Sequence, residues 1–268
     1  MFYDTSAFNG DVSNWDVSSV TKMSNMFRNA LAFNGDTSNW DVKNVADMAR
    51  MFFRASAFNG DISNWNVSSV TNMVYMFYSA TAFNSDISNW DVSNVTAMSH
   101  MFDFAAAFNS DISNWDVSSV TNMSYMFSSA AAFNQNLSSW DVRNVTSMDD
   151  MFNNATAFNQ DLSSWDVSNV KDMSSMFNGL TLSKANYDAL LNGWSALTLQ
   201  DNVAFNAGNS SYCNGETAKT NIINNFNWTI TDGGLDCSSD VFVTTWKTDN
   251  AGTSNDTSIT IATTGGGY

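Results

Sequence analysis

A 25-residue period runs through this sequence without insertion or deletion for seven units, and it limits the fold more than any other feature. Trp15, Trp40, Trp65, Trp90, Trp115, Trp140 and Trp165 mark the step, and Met-Phe pairs from Met1-Phe2 to Met176-Phe177 repeat it. Units of constant length share one geometry, so each packs on its neighbours as the last one did. No unit can bury its Met, Phe, Val and Trp face alone. Each large side chain buried in the stack contributes roughly 1.5–3 kcal/mol.

Within a unit, two patterns alternate. Val70, Met73, Met76, Phe77 and Ala80 have the spacing of one to two helical turns with a buried face. The next stretch, AFNSDISNWDV from Ala82, separates Phe83, Ile87, Trp90 and Val92 by short polar residues and reads as a short strand and a turn. The expected fold is therefore an α/β repeat solenoid. It is a leucine-rich-repeat-like right-handed coil with stacked short parallel strands and one helical turn per 25-residue repeat. Seven strands at the ~4.8 Å spacing give a sheet roughly 34 Å long.

Several polar rows share the register. Asn recurs at Asn9, Asn34, Asn59, Asn84, Asn109, Asn134 and Asn159, which reads as an internal ladder satisfying backbone groups. An Asp follows each Trp except where Asn66 stands, an exchange that suits a turn-forming side chain. A further row, Asp11, Asp36, Asp61, Asp86, Asp111 and Asp161 with Asn136, reads as a solvated edge. Calcium, which takes six to eight oxygens, is the alternative for that row, although no unit carries an Asp-x-Asp-x-Asp-Gly loop. No other cofactor and no metal site is expected.

The repeats end at Phe177, which divides the chain into a solenoid over 1–177, a cap over 178–237 and a remainder over 238–268. The cap opens on an amphipathic helical stretch, Leu182 to Leu197, suited to covering the last coil. Cys213 and Cys237, the only cysteines, lack metal-type spacing and read as one disulfide, with a pair of buried thiols as the alternative. A disulfide implies export to an oxidising compartment, hence an extracellular or cell-surface location. The alternating Val, Phe, Thr and Ile residues after Ser238 read as the start of a following β-rich module, or as an extended tail. The chain opens in mid-repeat with no signal peptide, which reads as a fragment boundary.

Net charge narrows the partners. With 26 acidic and 10 basic residues the chain carries −16, which disfavours nucleic acid and anionic lipid. No apolar run is long enough for a membrane span. Catalysis is not expected either: His100 is the only histidine, and neither a Gly-x-Ser-x-Gly elbow nor a phosphate-cradling glycine loop is present.

A repeat protein differs from itself where it acts. The residues flanking each Met-Phe are small and polar in the first and last units, as at Ser24, Asn25, Asp149, Asp150, Asn153 and Asn154. In the middle units they become Arg50, Phe53, Arg54, Val74, Tyr75, Tyr78, His100, Phe104 and Tyr125. An aromatic patch with an arginine edge is expected there, and all but Val74 are the candidate ligand-binding residues. The competing reading is that these side chains only thicken the core.

The unit AFNSDISNWDVSNVTAMSHMF resembles the repeat of BspA-like leucine-rich-repeat surface proteins of bacteria. The stretch YDALLNGWSALTLQDNVAFNAGNSSYC with NWTITDGGLDC is similar to the cap closing such arrays in marine Bacteroidetes. The tail FVTTWKTDNAGTSNDTSITIATTGGGY is similar to the start of the β-sandwich modules that often follow. The resemblance implies a cell-surface protein that binds a host or neighbouring-cell protein or glycan, without catalysis and with no shared set of binding residues. Two other functions stay open: a structural spacer or self-associating filament subunit, and ice binding by the Thr21, Thr71, Thr96, Thr121 and Thr146 row, which Ala46 and Lys171 break.

Overall fold

The computed structural model describes residues 2–238, together with the backbone strands 242–247 and 258–263. Two compact units divide the chain, Met1–Gly234 and Leu235–Tyr268.

In the first unit the repeats are joined by parallel bridges one period apart: Lys22 to Asp47, Asp47 to Asn72, and so on to Asp172. The elements differ from the sequence expectation. The bridge residue Asn72 lies in the segment expected to be helical, and 82–92 forms turns instead of a strand. The reason is where the backbone donors go. A helix would send each N–H four residues back, but here Met73, Tyr75, Phe77 and Ser79 donate to Ala97, Ser99, Met101 and Asp103 of the next unit. Met76, Tyr78 and Ala80 instead donate three residues back, to Met73, Tyr75 and Phe77, and close four-residue turns. Such alternation needs left-handed residues, and Tyr75 at φ 59° and Ser79 at φ 55° provide them. Each repeat is thus a run of reverse turns stitched to its neighbours.

Stacking carries the shared side chains inward. Trp65, Trp90 and Trp115 lie with ring centroids 6.3–6.4 Å apart and planes within 2°. Each indole N–H needs a buried partner, and Trp90 Nε1 finds Ile62 O at 3.1 Å while Trp115 Nε1 finds Ile87 O at 3.1 Å. The phenylalanines pair within a unit and stack between units: Phe77 lies 3.8 Å from Phe83 and 5.7 Å from Phe102. Val, Met and Phe of the register are fully buried from Val42 to Phe177.

The polar rows have structural employment. The Asn ladder exists, with Asn84 N donating to Asn59 Oδ1 at 2.8 Å and Asn109 N to Asn84 Oδ1 at 2.7 Å. It runs along the exposed surface and not inside. Both aspartate rows close local turns: Asp86 Oδ1 accepts Ser88 N, and Asp91 Oδ1 accepts Ser93 N and Oγ. Those bonds hold the two carboxyls below their ordinary range. Only a side-chain oxygen is required, so Asn66 Oδ1 serves equally, accepting from Ser68 N and Oγ. Among the described residues, no three His, Cys, Asp or Glu side chains converge to hold a metal ion.

Beyond the repeats, helix α1 (Lys184–Ser195) starts at Ser183, whose side chain accepts from Asn186 N. Leu182 and, on the helix itself, Leu190, Leu191 and Trp194 are buried, and Trp194 Nε1 bonds Leu162 O, taking the next place in the indole ladder. Strand β1 (Ala204–Asn206) takes up the exposed edge of the last repeat through the Met173–Phe205 bridge. Strand β2 (Ser211–Tyr212), helix α2 (Glu216–Phe226), β3 (Thr229–Thr231) and β4 (Gly234–Leu235) follow, with β1 paired to β3 and β2 to β4. Asp188 is buried and accepts from the N–H groups of Cys213, Asn214 and Gly215. Cys213 and Cys237 are disulfide-bonded.

In the second unit, β5 (Phe242–Lys247) and β6 (Ser258–Thr263) form an antiparallel pair. The rest of 239–268, and with it the choice between a following module and an extended tail, lies outside the described residues.

Candidate functional site

The residues flanking Met-Phe occupy three lateral rows, each stepping by 25 along the stack. The first holds Asn25, Arg50, Tyr75, His100, Tyr125 and Asp150, and the third holds Asn29, Arg54, Ser79, Phe104, Ser129 and Asn154. Every one of these twelve has positive φ, between 53° and 59°. Left-handed backbone costs an ordinary side chain roughly 1–2 kcal/mol, and Asn and Asp the least. The end repeats obey this preference. The middle repeats place Arg, Tyr, His and Phe at six of the eight such positions, with Ser79 and Ser129 at the other two. Strain of this kind gathers at sites that have work to do.

The row between them, Arg28, Phe53, Tyr78, Asp103, Ser128 and Asn153, forms the floor. Together the rows enclose an open cleft of about 650 Å³, within the usual range for ligand pockets. Seven of the eight expected residues line it: Arg50, Phe53, Tyr75, Tyr78, His100, Phe104 and Tyr125. The eighth, Arg54, is exposed outside the lining, with its guanidinium 5.5 Å from the Phe53 ring centre. Val74 is also outside the lining.

Size scanning along the sequence missed Arg28, Asp103, Ser128, Ser129, Asn153 and Asn154, which complete the walls. Their signal was register: Asp103 and Ser128 stand where Phe53 and Tyr78 stand in earlier units, and small residues there make the space.

Aromatic rings run in two columns. Arg50 covers Tyr75 at 4.8 Å, Tyr75 stacks on His100 at 4.2 Å, and His100 stacks on Tyr125 at 4.4 Å. Arg28 lies 5.0 Å over Phe53, which stacks on Tyr78 at 4.5 Å. Phe104, 48% exposed, stands edge-on to Tyr78 at 5.8 Å.

The floor carries charge. Asp103 is 3% exposed, and its Oδ2 lies 2.9 Å from His100 Nδ1. Burial pushes its carboxyl up, against the lowering pull of the His100 hydrogen bond and of the Ser128 hydroxyl, which lies nearby without making a hydrogen bond of normal geometry. The other oxygen, Oδ1, is buried without a hydrogen-bond partner among the described residues, and so is Arg28 Nε. The Tyr125 phenol is pushed up to about 12, first by its hydrogen bond to Asp150 and then by burial, so it stays a neutral donor across the physiological range. Tyr75 is also raised, chiefly by burial.

The arrangement is that of a repeat protein with one differentiated surface cleft. A family model described as "Mycoplasma protein of unknown function, DUF285" matches residues 1–103 and 76–191, and the chain belongs to that family. No curated protein matches the chain. No solved structure matches it either.

Proposed function

We propose that this chain is a non-enzymatic, exported binding protein of the bacterial cell surface. Its repeats form a leucine-rich-repeat-like, right-handed solenoid of BspA-like type, and the cleft spanning the middle units takes the ligand. One observation carries the reading: seven of the eight large residues that break the repeat's pattern gather around one cleft, and five of them, Arg50, Tyr75, His100, Phe104 and Tyr125, do so at a backbone cost. Aromatic walls with a few convergent polar groups are what ligand pockets generally offer. The disulfide supports export, because such bonds persist in oxidising surroundings.

The His100–Asp103 pair supports binding over catalysis. Both faces of the imidazole are covered, by Tyr75 and Tyr125, and Nδ1 is engaged by the carboxylate. A general base also needs a nucleophile within hydrogen-bond reach, and the His100 imidazole makes no other hydrogen bond among the described residues. The imidazole is a layer in a stack that fixes Asp103.

Arrays of glycans and of extracellular matrix and cell-surface proteins, probed with the purified protein, test the reading. The triple variant Tyr75→Ala, Tyr78→Ala, Phe104→Ala is expected to lose binding while its melting temperature changes little. Undiminished binding by that variant would remove the cleft from the account.

A further inference from the structure

The cleft has the form of an interrupted stack. In its floor row, Arg28, Phe53 and Tyr78 succeed one another as guanidinium, ring and ring, and then the rings stop. Asp103 and Ser128 hold the next two places, both buried and neither able to fill a ring's volume. Beside them the neighbouring column continues, through His100 and Tyr125, for those same two units. The empty volume is therefore a place in the protein's own ring column, bounded by Tyr78 behind, by the Tyr125 column on one side and by Phe104 on the other.

Two buried polar atoms in the lining have no partner among the described residues: Arg28 Nε, a donor, and Asp103 Oδ1, an acceptor. They lie three units apart, roughly 14 Å at the ~4.8 Å spacing of parallel strands. Arg28 and Arg50 also carry no ion pair among the described residues, in a chain with 26 acidic and 10 basic residues. The far end of the cleft, at Ser128, Ser129, Asn153 and Asn154, offers neutral donors and acceptors.

We propose that the cleft binds an acidic oligosaccharide, with one pyranose ring set against Tyr78 over Asp103 and a carboxylate of another sugar at Arg28 and Arg50. A pyranose presents an apolar C–H face for the tyrosine ring and hydroxyl donors on its edge for the unpaired Asp103 oxygen. A planar carboxylate suits the guanidinium fork, which binds it in a bidentate way. The two unpaired atoms stand further apart than one sugar ring spans, which calls for a short chain. This inference rests on the binding reading of the same cleft and adds the ligand's chemistry to it.

The test is titration of the protein against a panel of uronic-acid oligosaccharides: galacturonate, mannuronate, guluronate and glucuronate-containing oligomers, each paired with its methyl ester. At least one free acid is expected to bind, and its ester about tenfold or more weakly. Arg50→Gln should weaken the acid and leave the ester unchanged. Ser128→Tyr sets a ring in the vacant column, where the register already accepts one at Tyr78, and should abolish binding of both forms. Its circular dichroism and melting temperature should match those of the parent, and Asp103→Asn provides a second, isosteric variant that should weaken both forms. Equal binding of acid and ester, or undiminished binding by Ser128→Tyr, would overturn the proposal. Binding of an array protein that the Tyr75, Tyr78, Phe104 triple variant loses, with no saccharide bound, would also overturn it and leave the broader binding role standing.

Discussion

The end repeats and the middle repeats follow one backbone with different side chains. At the left-handed position before Met-Phe, the ends carry Asn25, Asp150 and Ser175, while the middle carries Arg50, Tyr75, His100 and Tyr125. At the second such position, Asn29 and Asn154 flank Arg54 and Phe104, with Ser79 and Ser129 keeping the small polar type. The ends show what the fold prefers: small polar residues that tolerate positive φ. The middle departs from that preference where the cleft lies. Packing alone does not explain the departure, because Phe104 is half exposed and shields little from water. The apolar residues shared by the repeats are buried from Val42 to Phe177, and the unlike ones line the cleft.

The sharpest way to break that division is to compare adjacent residues. Phe77 is fully buried and Tyr78, its neighbour, lines the cleft. Phe77→Ala should cost about 3–5 kcal/mol in chemical denaturation, and Tyr78→Ala well under half of that. Equal losses would make the cleft residues part of the core.

A smaller effect is expected from Asp103→Asn, with a pH signature. Burial raises the carboxyl above its ordinary value, so the folded state favours the protonated acid. The native protein then holds its full relative stability below the unfolded value of about 3.8 and loses part of it as pH rises through the elevated folded value. Asn cannot ionise. Its melting temperature relative to the parent should therefore rise between about pH 4 and neutrality, and a constant difference across that range would contradict the assignment.

Phe104→Asn tests the backbone cost directly. Relief at φ 58° should stabilise by about 1 kcal/mol, less the small loss of contact with Tyr78, while binding weakens. The smallest change is expected outside the cleft. Asp86→Asn keeps the oxygen that accepts from Ser88 N and should lie within ~0.5 kcal/mol of the parent by thermal melting.

Much of this molecule was legible in its repeat. The Trp and Met-Phe marks located the buried face, because a side chain shared by all units is shared for packing. The unlike residues located the cleft for the complementary reason. The local backbone was less legible. Val70, Met73, Met76, Phe77 and Ala80 have helical spacing, yet their segment is turns and a bridge, since inter-unit hydrogen bonds outcompeted intra-helical ones. Periodicity reports which side chains face inward and is silent on which unit receives a backbone donor. Asp103 was overlooked because it is small: a cavity is made by what a sequence leaves out, and only register against Phe53 and Tyr78 exposes the omission.

Calorimetric melting of the quadruple variant Tyr75→Asn, His100→Asn, Phe104→Asn, Tyr125→Asn, which gives the middle repeats the residue type of the ends, is the most direct measurement. A melting temperature close to or above the parent's, together with loss of ligand capture on the same array, is the predicted result. A fall as deep as that of Phe77→Ala would contradict the account, because it would show that these rings hold the fold together and are not held there for a ligand.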